Sequence, residues 1–191
     1  MRILFFLVAF LAMLVFSAPV WASLPYYNPD MGYTIWLPKT WNVVPAGELG
    51  KAEPFCCSVP VHDMAPDWRA GYVSPAGGPV LLVEVRPGRK MHTADISNFN
   101  RFVVRSLRQN DRPSVRLKDA TYFGEKKTLR IESEIEVNGR TMLSLSYIVY
   151  TRKGMLNFVG FVAPGDDQAR AAIDKAVLSL YLDDSIRYES R

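Results

Sequence analysis

The chain has 191 residues, 49% of them hydrophobic and 22% charged, a balance that suits a folded globular protein and excludes a disordered one. Its formal charge of +4 at pH 7 is too small to argue for a nucleic-acid partner. The two cysteines, Cys56 and Cys57, are adjacent and cannot staple distant elements together.

Residues 1–22 read as a cleavable export signal. Arg2 precedes an unbroken apolar run from Ile3 to Phe16, and Val20-Trp21-Ala22 ends with a small residue before a cut at Ser23. A spanning helix would need about 20 apolar residues with anchoring flanks. No cysteine stands where an acylated anchor would need one, since Ala22 and Ser23 occupy that place. The expectation is a single domain over residues 23–191, soluble and periplasmic or secreted. Loss of Arg2 with the signal lowers the net charge by one.

Next, Tyr33-Thr34-Ile35-Trp36-Leu37 mixes β-branched and aromatic residues and is closed by Pro38, predicting a short strand. Trp41 to Val44 repeats the pattern and ends at Pro45, so the two pieces form an opening hairpin or corner around Pro38-Lys39-Thr40. Residues 46–78, with Pro54, Pro60, Pro66 and Pro75, show neither helical nor strand periodicity and read as an irregular excursion. Loops longer than about 12 to 15 residues are uncommon in compact domains and are usually functional or disordered.

Val80 to Val85 is nearly continuous in apolar residues, as in a strand covered on both faces, and Pro87-Gly88 stops it. Ile96, Phe99, Val103 and Leu107 recur at helical spacing, with Asn98, Arg101, Arg105 and Arg108 opposite. Thr93 or Asp95 is the expected cap. Ser114 to Phe123 reads as a weak strand. Lys126 to Val137 is a strong one, with Leu129, Ile131, Ile135 and Val137 on one face and Arg130, Glu132, Glu134 and Glu136 on the other.

Asn138-Gly139 is the preferred centre of a two-residue type I′ turn, which sets the register. Val137 should face Arg140, Ile135 Met142, Ser133 Ser144, Ile131 Ser146 and Leu129 Ile148, while Glu134 meets Leu143 and Glu132 meets Leu145. After a turn at Lys153-Gly154, Met155 to Ala163 reads as a central strand. A closing helix follows, capped by Asp166 and striped by Ala169, Ala172, Ile173, Ala176, Val177 and Leu180. The class expected is α+β, an α/β/α sandwich with a mainly antiparallel central sheet and helices on both faces.

The segment Gly32-Tyr33-Thr34-Ile35-Trp36-Leu37-Pro38-Lys39-Thr40-Trp41 and the order of elements resemble the PsbP-like group, which includes the bacterial DcrB family. That resemblance covers nearly all of residues 28–183, with the Val83-Glu84-Val85 strand and the Asn138-Gly139 hairpin in step. It implies a noncatalytic module that binds proteins or assists assembly in the cell envelope, with no cofactor. The missing lipid-bearing cysteine and the excursion around Cys56 depart from the family pattern.

Cys56, Cys57, His62, Asp63 and Asp67 could ligate a soft or borderline metal, yet adjacent cysteines lack the Cys-x-x-Cys spacing that lets two thiolates converge on one ion. Cys56 and Cys57 could instead form a vicinal disulfide, stay free or bond another chain. Only His62 and His92 are present, neither in a hydrolase or metalloprotease motif, so no enzyme is expected. Cys57 beside His62 is the least remote nucleophile and base pair.

Glu132, Glu134 and Glu136 read as a solvated strand rim before a calcium site. Arg101, Arg105 and Arg108, with Arg86, Arg89, Lys90 and Arg112 nearby, give a basic helix face. Such a face is either plain solvated surface or a dock for an acidic envelope partner or anionic headgroups. Of the aromatics, mainly core filling, Trp68 and Tyr72 are candidates for a binding patch beside the excursion, where a small-molecule site is the alternative.

Overall fold

The computed structural model describes residues 23–51, 68–75, 77–109, 114–137 and 139–189. The segment 1–22 and the candidate ligands Cys56, Cys57, His62, Asp63 and Asp67 lie outside them, as does Arg112. In chain order the strands are β1 (Ser23–Asn28), β2 (Tyr33–Pro38), β3 (Asn42–Pro45), β4 (Trp68–Val73), β5 (Val80–Pro87), β6 (Val115–Phe123), β7 (Thr128–Val137), β8 (Arg140–Thr151), β9 (Gly154–Val162) and β10 (Tyr181–Leu182). A 3-10 turn spans Ala46–Lys51, and the helices are α1 (Thr93–Arg108) and α2 (Asp167–Leu178). All strand pairings are antiparallel, which makes the fold an α+β one.

The strands divide into a large sheet, β3-β4-β5-β9-β8-β7-β6, and a small one, β1-β2-β10. The opening is therefore a corner. After Pro38 the chain turns, with the Trp41 amide donating to the Pro38 carbonyl at 2.9 Å, and leaves one sheet for the other. β2 pairs with β1 and β10, whereas β3 pairs with β4. Strand β1 has no counterpart among the expected elements, because Ser23–Asn28 carries no apolar alternation. The excursion is also less irregular than its prolines imply, since Trp68–Val73 forms β4 between β3 and β5.

The β7–β8 hairpin has the register that its turn chemistry dictates, from Val137 opposite Arg140 to Leu129 opposite Ile148. Gly139 has φ +73, the left-handed conformation a type I′ turn needs. β9 lies between β5 and β8, as its apolarity on both faces requires.

Alternation along the central strands sorts the core. Leu145, Tyr147 and Val149 of β8 pack with Leu156 and Phe158 of β9, with Tyr33 and Ile35 of β2, and with Ala169, Ile173, Ala176 and Val177 of α2. Removing each large side chain of this kind from water contributes about 1.5 to 3 kcal/mol. The opposite face holds a smaller cluster of Leu49, Val80, Leu82, Met142 and Phe161. Gly160 lets α2 lie close, because a Cβ there would stand 2.7 Å from Ile173 Cδ1.

Asp166 caps α2 as expected, its Oδ1 accepting from the Ala169 amide at 2.9 Å. For α1 the expectation is corrected: His92 occupies the cap position and makes no side-chain capping bond. The acidic face of β7 is corrected as well. Arg130 and Glu132 are both buried, because α2 covers that face and brings its own charges. Arg130 donates to Asp174 at 2.6 Å and to Glu132 at 2.9 Å, and Arg170 donates to Glu132 at 2.7 Å.

Candidate functional site

The apolar stripe of α1 turns Ile96 fully into the protein, and two contacts then fix the helix against β8. The Phe99 ring meets Tyr150 edge-on at 6.4 Å between centroids. Beside it the Tyr150 hydroxyl donates to Asn100 Oδ1 at 2.5 Å. Burial pushes the Tyr150 pKa well above its ordinary value, so the phenol is a neutral donor.

With that side anchored, Arg101, Arg105 and Arg108 are exposed, and all three border one groove of about 460 Å³ between α1 and β6. Val104, Ala120, Tyr122 and Leu129 supply its apolar part, and among the described residues no carboxylate lines it. Arg101 is held along its own helix, donating from Nη2 to Asn98 Oδ1 at 2.8 Å and from Nε to the Ser97 carbonyl at 3.3 Å. Arg105 and Arg108 make no ion pair with a described residue. Both lie in the last turn, where positive charge also offsets the helix dipole. Guanidinium forks that pair with no described carboxylate are suited to bind carboxylate or phosphate bidentately.

Other members of the basic set lie elsewhere. Arg86 pairs with Glu84 at 3.0 Å, and Lys90 donates to the Glu189 carbonyl at 3.2 Å while covering the Tyr188 ring. Arg89 is exposed. The remaining acidic candidates are already matched: Glu134 binds Arg116 and Lys118, and only Glu136 of the three β7 glutamates is exposed. Among the described residues no group of three His, Cys, Asp or Glu could hold a metal ion, and no helix is long and apolar enough to cross a membrane.

Tyr72 does not serve an exposed patch. β4 turns it into the main core at 0% exposure, where its hydroxyl lies 2.5 Å from that of Tyr33. Trp68 is half-buried against the smaller core cluster, its Nε1 without a hydrogen-bond partner among the described residues. A second, half-open cleft of about 650 Å³ lies where the turn between β1 and β2, strands β5 and β9, and the residues after β10 meet. Its lining mixes Asp30, Arg69, Lys153 and Asp183 with Met31, Val85, Met155, Leu156 and Ile186.

The groove residues Asn100, Val104, Ala120 and Tyr122 were not legible as a site. Phe102 was not either, although it is 66% exposed and sits off the apolar stripe. That displacement was the available signal, since a large ring off the buried face of a helix has no core to fill.

The architecture defines a PsbP-like fold, and comparison with solved structures bears this out. The chain is similar to CyanoP, the cyanobacterial PsbP of Synechocystis sp. PCC 6803, with a TM-score of 0.55 and 12% identity over 87% of this chain and 95% of that one. It is also similar to a crystal structure from Bacteroides thetaiotaomicron VPI-5482, with a TM-score of 0.52 and 14% identity over 85% of this chain and 49% of that one. No protein-family model matches the sequence, and no curated protein matches it.

Proposed function

We propose that this chain is an exported, noncatalytic module of the cell envelope that binds an acidic protein partner through the groove between α1 and β6. The observation that carries the reading is the groove itself: Arg101, Arg105 and Arg108 border one apolar trough that no carboxylate lines among the described residues. The export signal read over residues 1–22 and the PsbP-like fold support the setting. The α/β/α layering belongs to the same reading. It is supported by β8, whose Tyr147 reaches Asp174 of α2 and whose Tyr150, an odd number of residues on, reaches Asn100 of α1.

The test is crosslinking in the native envelope with Arg101→Glu/Arg105→Glu beside the wild type. The expected result is loss of the crosslinked partner with the fold retained and stability lowered by about 1 kcal/mol at most, since Arg105→Glu also reverses a favourable helix-end charge. An unaltered crosslinking pattern at low salt overturns the proposal.

A second reading is favoured by the cleft around Arg69 and Lys153, which is large enough for a small ligand carrying both charged and apolar groups. Native mass spectrometry of untagged protein from the envelope should then show a bound small molecule that Arg69→Ala/Lys153→Ala loses. Bare protein in both samples would remove this reading.

A further inference from the structure

Resting on the reading of the arginine groove above, we propose that the acidic partner binds as an extended strand that pairs with the free edge of β6. β6 is the last strand of the large sheet and pairs only with β7 among the described residues. The backbone groups on its outer side have no strand partner among the described residues and can accept another strand.

The edge is not uniform. A register shift between Leu117 and Asp119 interrupts its pairing with β7, with Lys118 at the break and Arg116 shortly before it, devices that discourage indiscriminate pairing. Beyond the break the pairing with β7 is regular, from Asp119 opposite Glu132 to Phe123 opposite Thr128. This is the half beside the groove, because Ala120 and Tyr122 line it together with the arginines of α1.

An added strand would continue the pleat of β6, so every second side chain would point to the same face as Ala120 and Tyr122, beneath α1. Along a helix Arg101 and Arg105 are about 6 Å apart at 1.5 Å per residue. Alternate side chains of a strand are about 6.6 Å apart. Carboxylates at alternate positions thus match successive guanidiniums, while the intervening side chains would lie on the face of Asp119 and Thr121, where neutral polar residues fit. A second copy of this chain is a poor occupant, since its own β6 carries a single carboxylate, Asp119, and cannot set two against the arginines. An anionic lipid surface could meet the arginines but has no backbone to offer the edge.

The probe is a labelled, end-capped heptapeptide of alternating threonine and glutamate, read by fluorescence anisotropy, with two variants N-methylated on either the threonine or the glutamate amides. Strand pairing directs alternate amides to opposite sides, so one variant should lose affinity about ten-fold or more while the other binds like the parent. Arg101→Glu/Arg105→Glu should lose the parent peptide, with circular dichroism confirming that the fold is intact. Equal binding of both methylated variants overturns strand pairing and leaves arginine docking standing. Parent binding that survives the charge reversal overturns the groove reading beneath it, and absence of parent binding to the wild type at low salt overturns the strand proposal.

Discussion

Arg130 on β7 and Asp174 on α2, 44 residues apart, meet with Nε 2.6 Å from Oδ1 and Nη2 3.1 Å from Oδ2. Tyr147 donates to the same carboxylate at 2.7 Å. Burial works against the charge on Arg130, but its hydrogen bonds to Asp174 and Glu132 outweigh that and raise its pKa above the ordinary arginine value. Asp174→Ala would take from the buried Arg130 its bidentate partner, leaving Glu132 shared with Arg170, and from a buried phenol its acceptor, so it should cost about 3 kcal/mol in urea denaturation. By contrast Glu189→Ala, which removes an exposed 3.8 Å contact to Arg152, should stay within about 0.5 kcal/mol. Equal effects would show that burial does not set the worth of these pairs.

The Tyr33 and Tyr72 hydroxyls partner each other in the core at 2.5 Å. Tyr33→Phe and Tyr72→Phe should each cost about 1 to 2 kcal/mol, because each takes one hydrogen-bond partner from a buried hydroxyl that otherwise has only the Asn28 side chain among the described residues. The double variant should cost less than the two together, and denaturant titrations of the four proteins measure the coupling. Strict additivity would count against a bond between the two.

Glu134 is held below its ordinary pKa of 4.5, first by the hydrogen bond from Lys118 and then by that from Arg116. A depressed carboxylate adds stability above its unfolded pKa and loses it as the pH falls through the folded one. Wild type should therefore exceed Glu134→Gln in stability near neutrality. The gap should close as the pH falls below about 4.5. Chemical denaturation across the acid range checks this, and parallel profiles would contradict it.

Gly160→Ala should destabilise by about 1 to 3 kcal/mol, since the added methyl meets Cδ1 and Cγ2 of Ile173 and forces that fully buried side chain to shift. Combining it with Ile173→Val should recover part of that loss. A thermal melt of both variants decides the matter.

What could be read from the chain follows what is local. The β7–β8 register was legible because a two-residue turn and a period-two pattern are both contained within residues 128–151. The cap of α2 was legible for the same reason. Burial of Arg130 and Glu132 was not, because strand alternation marks them as solvent-facing. The charges that neutralise them, Asp174 and Arg170, arrive from a distant helix. β10 has two residues and no pattern of its own. The basic face of α1 was readable as a stripe of arginines, whereas the trough beside it exists only because Ala120 and Tyr122 of β6 come to lie opposite.

The small sheet carries a consequence for the order in which the molecule can be completed. β2 sits between β1 and β10, and the Tyr27 hydroxyl donates to Asp183 at 2.8 Å across 156 residues of chain. A polypeptide delivered progressively from its amino end can fold the β7–β8 hairpin as soon as it emerges. One flank of β2 must wait for Tyr181 and Leu182. The most distant pairings close last, since their loop entropy is recovered only when everything between them is in place. β2 thus works as a latch that the late-arriving segment fastens, and until then it presents Thr34 and Tyr33 as an open strand margin.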